Sequence, residues 1–154
     1  RRLSAVISWT GEPTYDQCHA PLASRSIDEF RRGSNLMDIV YIRDLRIETI
    51  IGIYDWEREV KQTVSLDLEM AHDIRKAART DDIQYALNYK SIAKRLIAFI
   101  EQAEFLLVER MAEEVADIVT KEFSVPWLKL RVSKPGALRG SQDVGIIIER
   151  GERP

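Results

Sequence analysis

One stretch of strict alternation constrains the fold more than any other feature of the chain. Between residues 64 and 70 apolar and polar side chains alternate, with Val64, Leu66, Leu68 and Met70 separated by Ser65, Asp67 and Glu69. Successive side chains of a strand point to opposite faces, so this period of two predicts a strand with one buried face. The chain therefore needs a sheet and an apolar layer that covers one side of it.

The segment before this strand predicts its neighbour in the sheet. Residues 39–53 are rich in β-branched and aromatic residues and end at Gly52 and the loop Tyr54-Asp55-Trp56-Glu57, which is typical of a strand. A parallel crossover needs about a dozen residues or more. The connection here is shorter, so we expect an antiparallel pair.

Two helices and two further strands follow the polar stretch 75–82. The first helix carries an apolar stripe at Ile92, Leu96, Phe99 and Ile100, and the second at Val108, Met111, Ala112, Val115, Ile118 and Val119. Pro126 lies just beyond the second helix. Strands are predicted at 127–133 and 144–149. The order β-β-α-α-β-β indicates an α+β fold with the helices packed on one face of an antiparallel sheet.

The first predicted strand indicates that this sheet has a partner. Ile39, Val40, Ile50 and Ile51 place apolar side chains on both of its faces, but one helical layer covers only one face. The other face and the open edges need cover. We therefore expect a homo-oligomer, and a closed ring of sheets is the simplest arrangement without edges.

Composition excludes several kinds of site and partner. The 154 residues carry a formal net charge of -2, so nothing suggests binding to nucleic acid or to an anionic membrane. No apolar run approaches the roughly 18 residues of a membrane span. Cys18 has no disulfide partner in the chain, which fits a reducing cytoplasm. With His19 and His72 as the only histidines, no His/Cys metal cluster is expected, although a carboxylate-only magnesium site stays open.

Residues 1–36 differ from the rest of the chain. They contain no lysine and hold neither a helical nor a strand period for long, whereas Met37 opens the first clear strand pattern. We expect 1–36 to be an extension that is either poorly ordered or not native, and 37–154 to be a single domain.

Four polar residues lie where predicted elements begin or end: Glu57, Tyr89, Glu109 and Lys134. Taken singly, each has an ordinary structural explanation: a solvated loop acid, a core aromatic, a helix-dipole acid and an exposed edge lysine. Taken together, they suggest a site for a polar heterocycle. A carboxylate accepts two parallel N–H bonds from a guanidine-like edge, and a lysine at a partly dry strand end can exchange protons.

Six segments in register resemble the dihydroneopterin aldolase family and cover nearly all of 37–151. They are Met37-Asp38-Ile39-Val40, Ile51-Gly52-Ile53-Tyr54-Asp55-Trp56-Glu57, Leu87-Asn88-Tyr89, Leu107-Val108-Glu109-Arg110, Ser133-Lys134-Pro135-Gly136-Ala137 and Val144-Gly145-Ile146-Ile147-Ile148-Glu149-Arg150-Gly151. The resemblance implies the tunnelling fold, a four-stranded antiparallel sheet with two helices on one face. It also implies a ring of four subunits whose sheets form a barrel, two rings stacked as an octamer, and sites between neighbouring subunits.

The resemblance also implies a role for each candidate residue. Glu109 and the backbone of Val108 would bind the reduced pterin substrate. Glu57 would bind and catalyse, Tyr89 of the adjacent subunit would act in proton transfer, and Lys134 would be the catalytic lysine. The expected reaction cleaves 7,8-dihydroneopterin without metal or cofactor, with a 2′-epimerase side activity. The alternatives are an epimerase of dihydroneopterin or its triphosphate, and a non-catalytic scaffold that binds pterins.

Overall fold

Five strands form one sheet in the order β3-β1-β2-β4-β5 in the computed structural model, which describes residues 37–153. The strands are β1 (Asp38–Ile51), β2 (Gln62–His72), β3 (Glu104–Phe105), β4 (Trp127–Pro135) and β5 (Asp143–Gly151). The neighbours β1 and β2, β2 and β4, and β4 and β5 are antiparallel. The predicted four strands are therefore present, while the predicted extension 1–36 lies outside the described residues.

The prediction of a purely antiparallel, four-stranded sheet was wrong in one respect. A fifth strand, β3, pairs with the end of β1 in parallel, with Ile50 opposite Glu104 and Ile51 opposite Phe105. Two residues are too few to establish a period of two, so the sequence pattern carries no signal for this strand. The sheet is consequently mixed.

Two long helices supply the predicted apolar layer. They are α3 (Tyr89–Gln102) and α4 (Val108–Asp117), and α4 continues as a π-helical turn over Ile118–Glu122. Both bury their predicted stripes in the same core as the inward side chains of β2 and β4. The α+β class with two long helices on one sheet face is thus confirmed.

Two short helices were not predicted. They are α1 (Asp55–Glu59) and α2 (Arg75–Thr80), and a 3-10 turn follows at Ile83–Tyr85. Each spans fewer than two turns and has no apolar stripe, so periodicity cannot reveal it. Among the described residues, no helix has the length and apolar character that a membrane crossing requires.

The structure confirms the prediction that β1 carries apolar residues on both faces, and it adds a bulge that the sequence pattern did not indicate. The pairing with β2 shifts between Ile42 and Leu45, and Asp44 adopts a left-handed conformation (φ 49°). The bulge turns Val40 and Ile42 to the same core as Leu45 and Ile47. Val40 and Ile51 therefore face the core, and Ile39, which is 43% exposed, lies with Ile50 on the opposite face.

Candidate active site

The topology gathers the ends of three strands at one end of the sheet. Strands β1 and β4 are each antiparallel to β2, so they run in the same direction, and β3 runs parallel to β1. The segments that follow β1 and β3 carry Glu57 and Glu109. Lys134 is the next-to-last residue of β4. Three of the four predicted site residues therefore lie toward the same end.

Lys134 continues the core-facing row of β4. Leu128, Leu130 and Val132 point to the helices. Lys134, two residues after Val132, points the same way, and only 8% of its surface is exposed. Its Nζ donates to the Ile51 carbonyl at 2.9 Å and to Glu57 Oε1 at 2.5 Å. Its reading as an exposed edge lysine is therefore wrong, because β4 lies between β2 and β5 and the side chain points inward.

Glu57 is buried as the partner of this lysine. It lies in α1 with 7% of its surface exposed, and its Oε2 accepts hydrogen bonds from the backbone N–H groups of Ile53 at 3.0 Å and Tyr54 at 3.1 Å. The Lys134 ammonium, followed by the Tyr54 N–H, holds the pKa of the Glu57 carboxyl below its ordinary value. Glu57 is thus an ionised, anchored carboxylate and not a solvated loop acid.

Backbone geometry makes room for this carboxylate at Gly52. This residue has φ +142°, and a Cβ placed on it would overlap the Glu57 carboxylate. The Gly52 N–H also donates to the Phe105 carbonyl at 3.1 Å, which joins β1 to β3. A glycine that ends an apolar strand was visible in the sequence, but its role depends on a contact five residues away.

Gln62 is another site neighbour that the sequence analysis did not identify. Its Nε2 donates to the Ile51 carbonyl at 2.6 Å, so this oxygen accepts from both Gln62 and Lys134. A lysine ammonium has three N–H donors. Within residues 37–153, protein groups accept two of those of Lys134, which leaves one for a ligand or water.

Glu109 lies exposed in the first turn of α4. The residue that precedes this helix, Leu107, gives it no side-chain cap. The first N–H groups of the helix, including that of Val108, therefore lack a side-chain acceptor from this position. The carboxylate and these N–H groups can bind a ligand that presents both donors and acceptors.

Tyr89 is not brought to this group within one chain. It is the first residue of α3, whose other end is fixed near the end of β1 by the Thr49 hydroxyl, which lies 2.7 Å from the Ile100 carbonyl. The 14 residues of α3 span about 20 Å. Tyr89, 59% exposed, therefore lies about a helix length from the Glu57–Lys134 pair.

The buried pair has a consequence for acid stability. A carboxyl with a lowered folded pKa stabilises the fold fully above its unfolded pKa, about 4.3 for glutamate, and this contribution is lost as pH falls through the folded pKa. Glu57→Gln places an amide opposite the ammonium and two N–H donors. We expect it to lower the free energy of unfolding by about 2 kcal/mol at pH 7.

The difference between wild type and Glu57→Gln should shrink steadily as pH falls below about 4. Urea unfolding at a fixed protein concentration, from pH 7 to pH 2.5, measures it. The other carboxylates are common to both proteins and cancel in the comparison. A difference that stayed constant over this range would contradict the ionised pair.

No metal cluster accompanies the pair. Across residues 37–153 there is no group of three or more His, Cys, Asp or Glu side chains arranged to hold a metal ion. This end of the sheet brings together an ammonium, its paired carboxylate and the start of a helix.

Comparison with known proteins identifies the family to which this chain is similar. The dihydroneopterin aldolase (FolB) family model matches residues 40–149. The dihydroneopterin aldolase of Escherichia coli K12 is 49% identical over 115 residues, which are 75% of this chain and 94% of that protein. A dihydroneopterin triphosphate 2′-epimerase of Pseudomonas aeruginosa is 37% identical over 71% of this chain and 89% of that protein.

A solved structure agrees with these relatives. The crystal structure of E. coli dihydroneopterin aldolase in complex with neopterin matches with a TM-score of 0.73 and 49% identity, over 75% of this chain and all of that one. The family model spans most of the chain, and the relative is covered almost completely. The chain belongs to the dihydroneopterin aldolase family.

Proposed function

We propose that this chain is a dihydroneopterin aldolase, which cleaves 7,8-dihydroneopterin into 6-hydroxymethyl-7,8-dihydropterin and glycolaldehyde in folate biosynthesis. The observation that carries the proposal is the buried pair of Glu57 and Lys134, 2.5 Å apart, at the sheet end where α4 begins. The relative from E. coli, whose crystal structure holds neopterin, supports a pterin as the ligand.

The pterin binds at the start of α4. The Glu109 carboxylate accepts two N–H bonds from the amino-pyrimidine edge, and a planar pair of this kind fixes the orientation of the ring. The backbone at Val108 adds a further hydrogen bond. The exposed Glu109 and the helix start without a side-chain cap both support this role.

The reaction needs an electron sink, and the substrate contains one. A base removes the proton of the side-chain 2′-hydroxyl, the C1′–C2′ bond breaks to release glycolaldehyde, and its electron pair flows into the ring imine as N5 takes a proton. The enamine formed is then protonated at C1′ while N5 releases its proton, which restores the ring imine. Lys134 assists protonation of the ring through water, and Glu57 holds the lysine and contacts the substrate. No cofactor is required.

The active site is completed by a neighbouring subunit in a ring of four, or in an octamer of two such rings. Tyr89, which acts in the late proton transfer, lies far from Glu57 within one chain, so a second copy has to supply it. Around the site, exposed apolar side chains offer a surface for that copy: Ile53, Tyr54, Trp56, Leu106 and Leu107. Burial of such a surface is the usual driving force of association.

The strongest alternative is epimerisation. If glycolaldehyde adds back to the enamine through its opposite face, the product is the 2′ epimer, so a cleavage enzyme of this kind carries the epimerase activity as a side reaction. The 37% identity to a triphosphate epimerase favours this second activity. A scaffold that only binds pterins would not need a buried ammonium at the site.

Incubation of the full chain with 7,8-dihydroneopterin in the presence of a chelator tests the proposal. We expect 6-hydroxymethyl-7,8-dihydropterin and glycolaldehyde to form in equal amounts, with a smaller amount of the 2′ epimer, at a rate that added zinc or magnesium leaves unchanged. The epimer alone would identify an epimerase. Binding without any conversion would identify the scaffold, and dependence on metal would overturn the mechanism.

A further inference from the structure

The residues of the proposed site come from two segments, and the distance between these segments has to be fixed. One is α1, which carries Glu57, and the other is the chain from β3 into α4, which carries Val108 and Glu109. We propose that Arg58 is a positioning residue that fastens the first segment to the second. This inference rests on the proposed function and goes beyond it, since Arg58 has no part in the reaction itself.

The Arg58 guanidinium spans both residues of β3. Its Nη1 donates to the Phe105 carbonyl at 2.9 Å, and its Nη2 lies 2.5 Å from the Glu104 carboxylate. The same Phe105 carbonyl accepts the Gly52 N–H at 3.1 Å. One buried peptide oxygen therefore ties both ends of the Glu57 loop, Gly52 before it and Arg58 after it, to β3.

The sheet itself provides few hydrogen bonds between these segments. The ladder between β1 and β3 consists of two residue pairs. The Phe105 ring packs edge-on against Phe99 of α3, with ring centroids 6.0 Å apart. Leu107, the residue before α4, follows Phe105 by two positions, so a shift of β3 would pass directly to the pterin-binding start of α4.

The ion pair between Arg58 and Glu104 contributes too little to the stability of the fold to explain why an arginine lies at this position. The Glu104 side chain is 67% exposed and that of Arg58 is 28% exposed, and exposed pairs contribute about 0 to 1 kcal/mol. The planar fork, however, reaches the carbonyl and the carboxylate from two nitrogens held at a fixed spacing, whereas a lysine has one nitrogen at the end of a flexible stem. The contact therefore fixes geometry more than it stabilises the fold.

The chain offers a matched control. Arg95 holds Glu122 with two hydrogen bonds of 2.9 and 2.8 Å, and the side chains are 40% and 44% exposed. It joins α3 to the turn after α4 and touches no residue of the proposed site. Arg95→Met removes a comparable forked ion pair that has no contact with α1. The Arg95 guanidinium also lies over the Phe99 ring, which packs against Phe105, and the methionine side chain can keep this packing.

The test compares Arg58→Met, Arg58→Lys and Arg95→Met in the full chain. The measurements are thermal midpoint, kcat for 7,8-dihydroneopterin, and Kd for 6-hydroxymethylpterin from its fluorescence. We expect Arg58→Met to lower kcat at least about tenfold, as misplacement of a catalytic group does, with Kd changed less than threefold. Arg58→Lys should recover part of kcat, and Arg95→Met should match wild type in both quantities.

A wild-type kcat in Arg58→Met, within twofold, overturns the inference whatever the thermal midpoint. A loss of kcat in Arg95→Met equal to that in Arg58→Met overturns it as well. If Arg58→Met does not fold, Arg58→Lys and Glu104→Gln decide by the same criterion of lowered kcat at retained Kd. A wild-type chain without any turnover would instead remove the proposed function, and the inference with it.

Discussion

Replacement of Lys134 with alanine is expected to abolish cleavage of 7,8-dihydroneopterin while the pterin still binds. The ammonium is the group closest to Glu57 and has one N–H donor left for water or substrate. Glu109, the residue proposed to bind the pterin, belongs to a separate segment. Loss of a positioned proton donor costs about 10²- to 10⁴-fold in rate. Single-turnover kinetics and pterin fluorescence separate the two effects.

Lys129→Ala is the matched control, because Lys129 belongs to the same strand but faces away from the helices, opposite Glu69. It should turn over like the wild type. Lys134→Ala leaves the Glu57 carboxylate without its ammonium, so its unfolding free energy should fall by about 3 kcal/mol, and circular dichroism has to confirm the fold. Turnover within tenfold of wild type in a folded Lys134→Ala would refute the assignment.

The sequence predicts the main elements of this fold for a physical reason. The strict alternation from Val64 to Met70 and the stripes of the two long helices are wide enough to indicate which side is buried, and the structure buries those side chains. The shorter elements α1, α2 and β3 have no such repeat. Of these, α1 and β3 are held to each other by a tertiary contact, that of Arg58 with Phe105.

The candidate site could be predicted from the sequence only in part. Glu57 and Lys134 lie 77 positions apart, and neither residue by itself carries a sign of burial, since charged side chains are almost always exposed unless paired. The resemblance to a family pointed to both residues. Three features depend on three-dimensional packing, which composition and spacing do not encode. They are the contact between Glu57 and Lys134, the room that Gly52 leaves for it, and the contacts of Arg58 with β3.

Two inactive variants of this chain are expected to restore activity to one another. In the proposed ring, each site combines Lys134 and Glu109 of one subunit with Tyr89 of its neighbour. Lys134→Ala inactivates the first half and Tyr89→Phe the second. In a hybrid with equal amounts of both, about one quarter of the sites receive two intact halves by simple counting. Co-expression with two different tags and purification through both gives the hybrid, whose turnover should approach a quarter of wild type.

A second hybrid provides the control, because Lys134 and Glu109 are proposed to belong to the same half. Lys134→Ala combined with Glu109→Ala should stay inactive, since no site in such a ring can contain an intact first half. Recovery in this control would mean that Glu109 and Lys134 come from different subunits. No recovery in the hybrid with Tyr89→Phe, in a ring shown by native mass spectrometry to contain both variants, would mean that each chain builds its site without a neighbour. The distance of about 20 Å along α3 argues against that outcome.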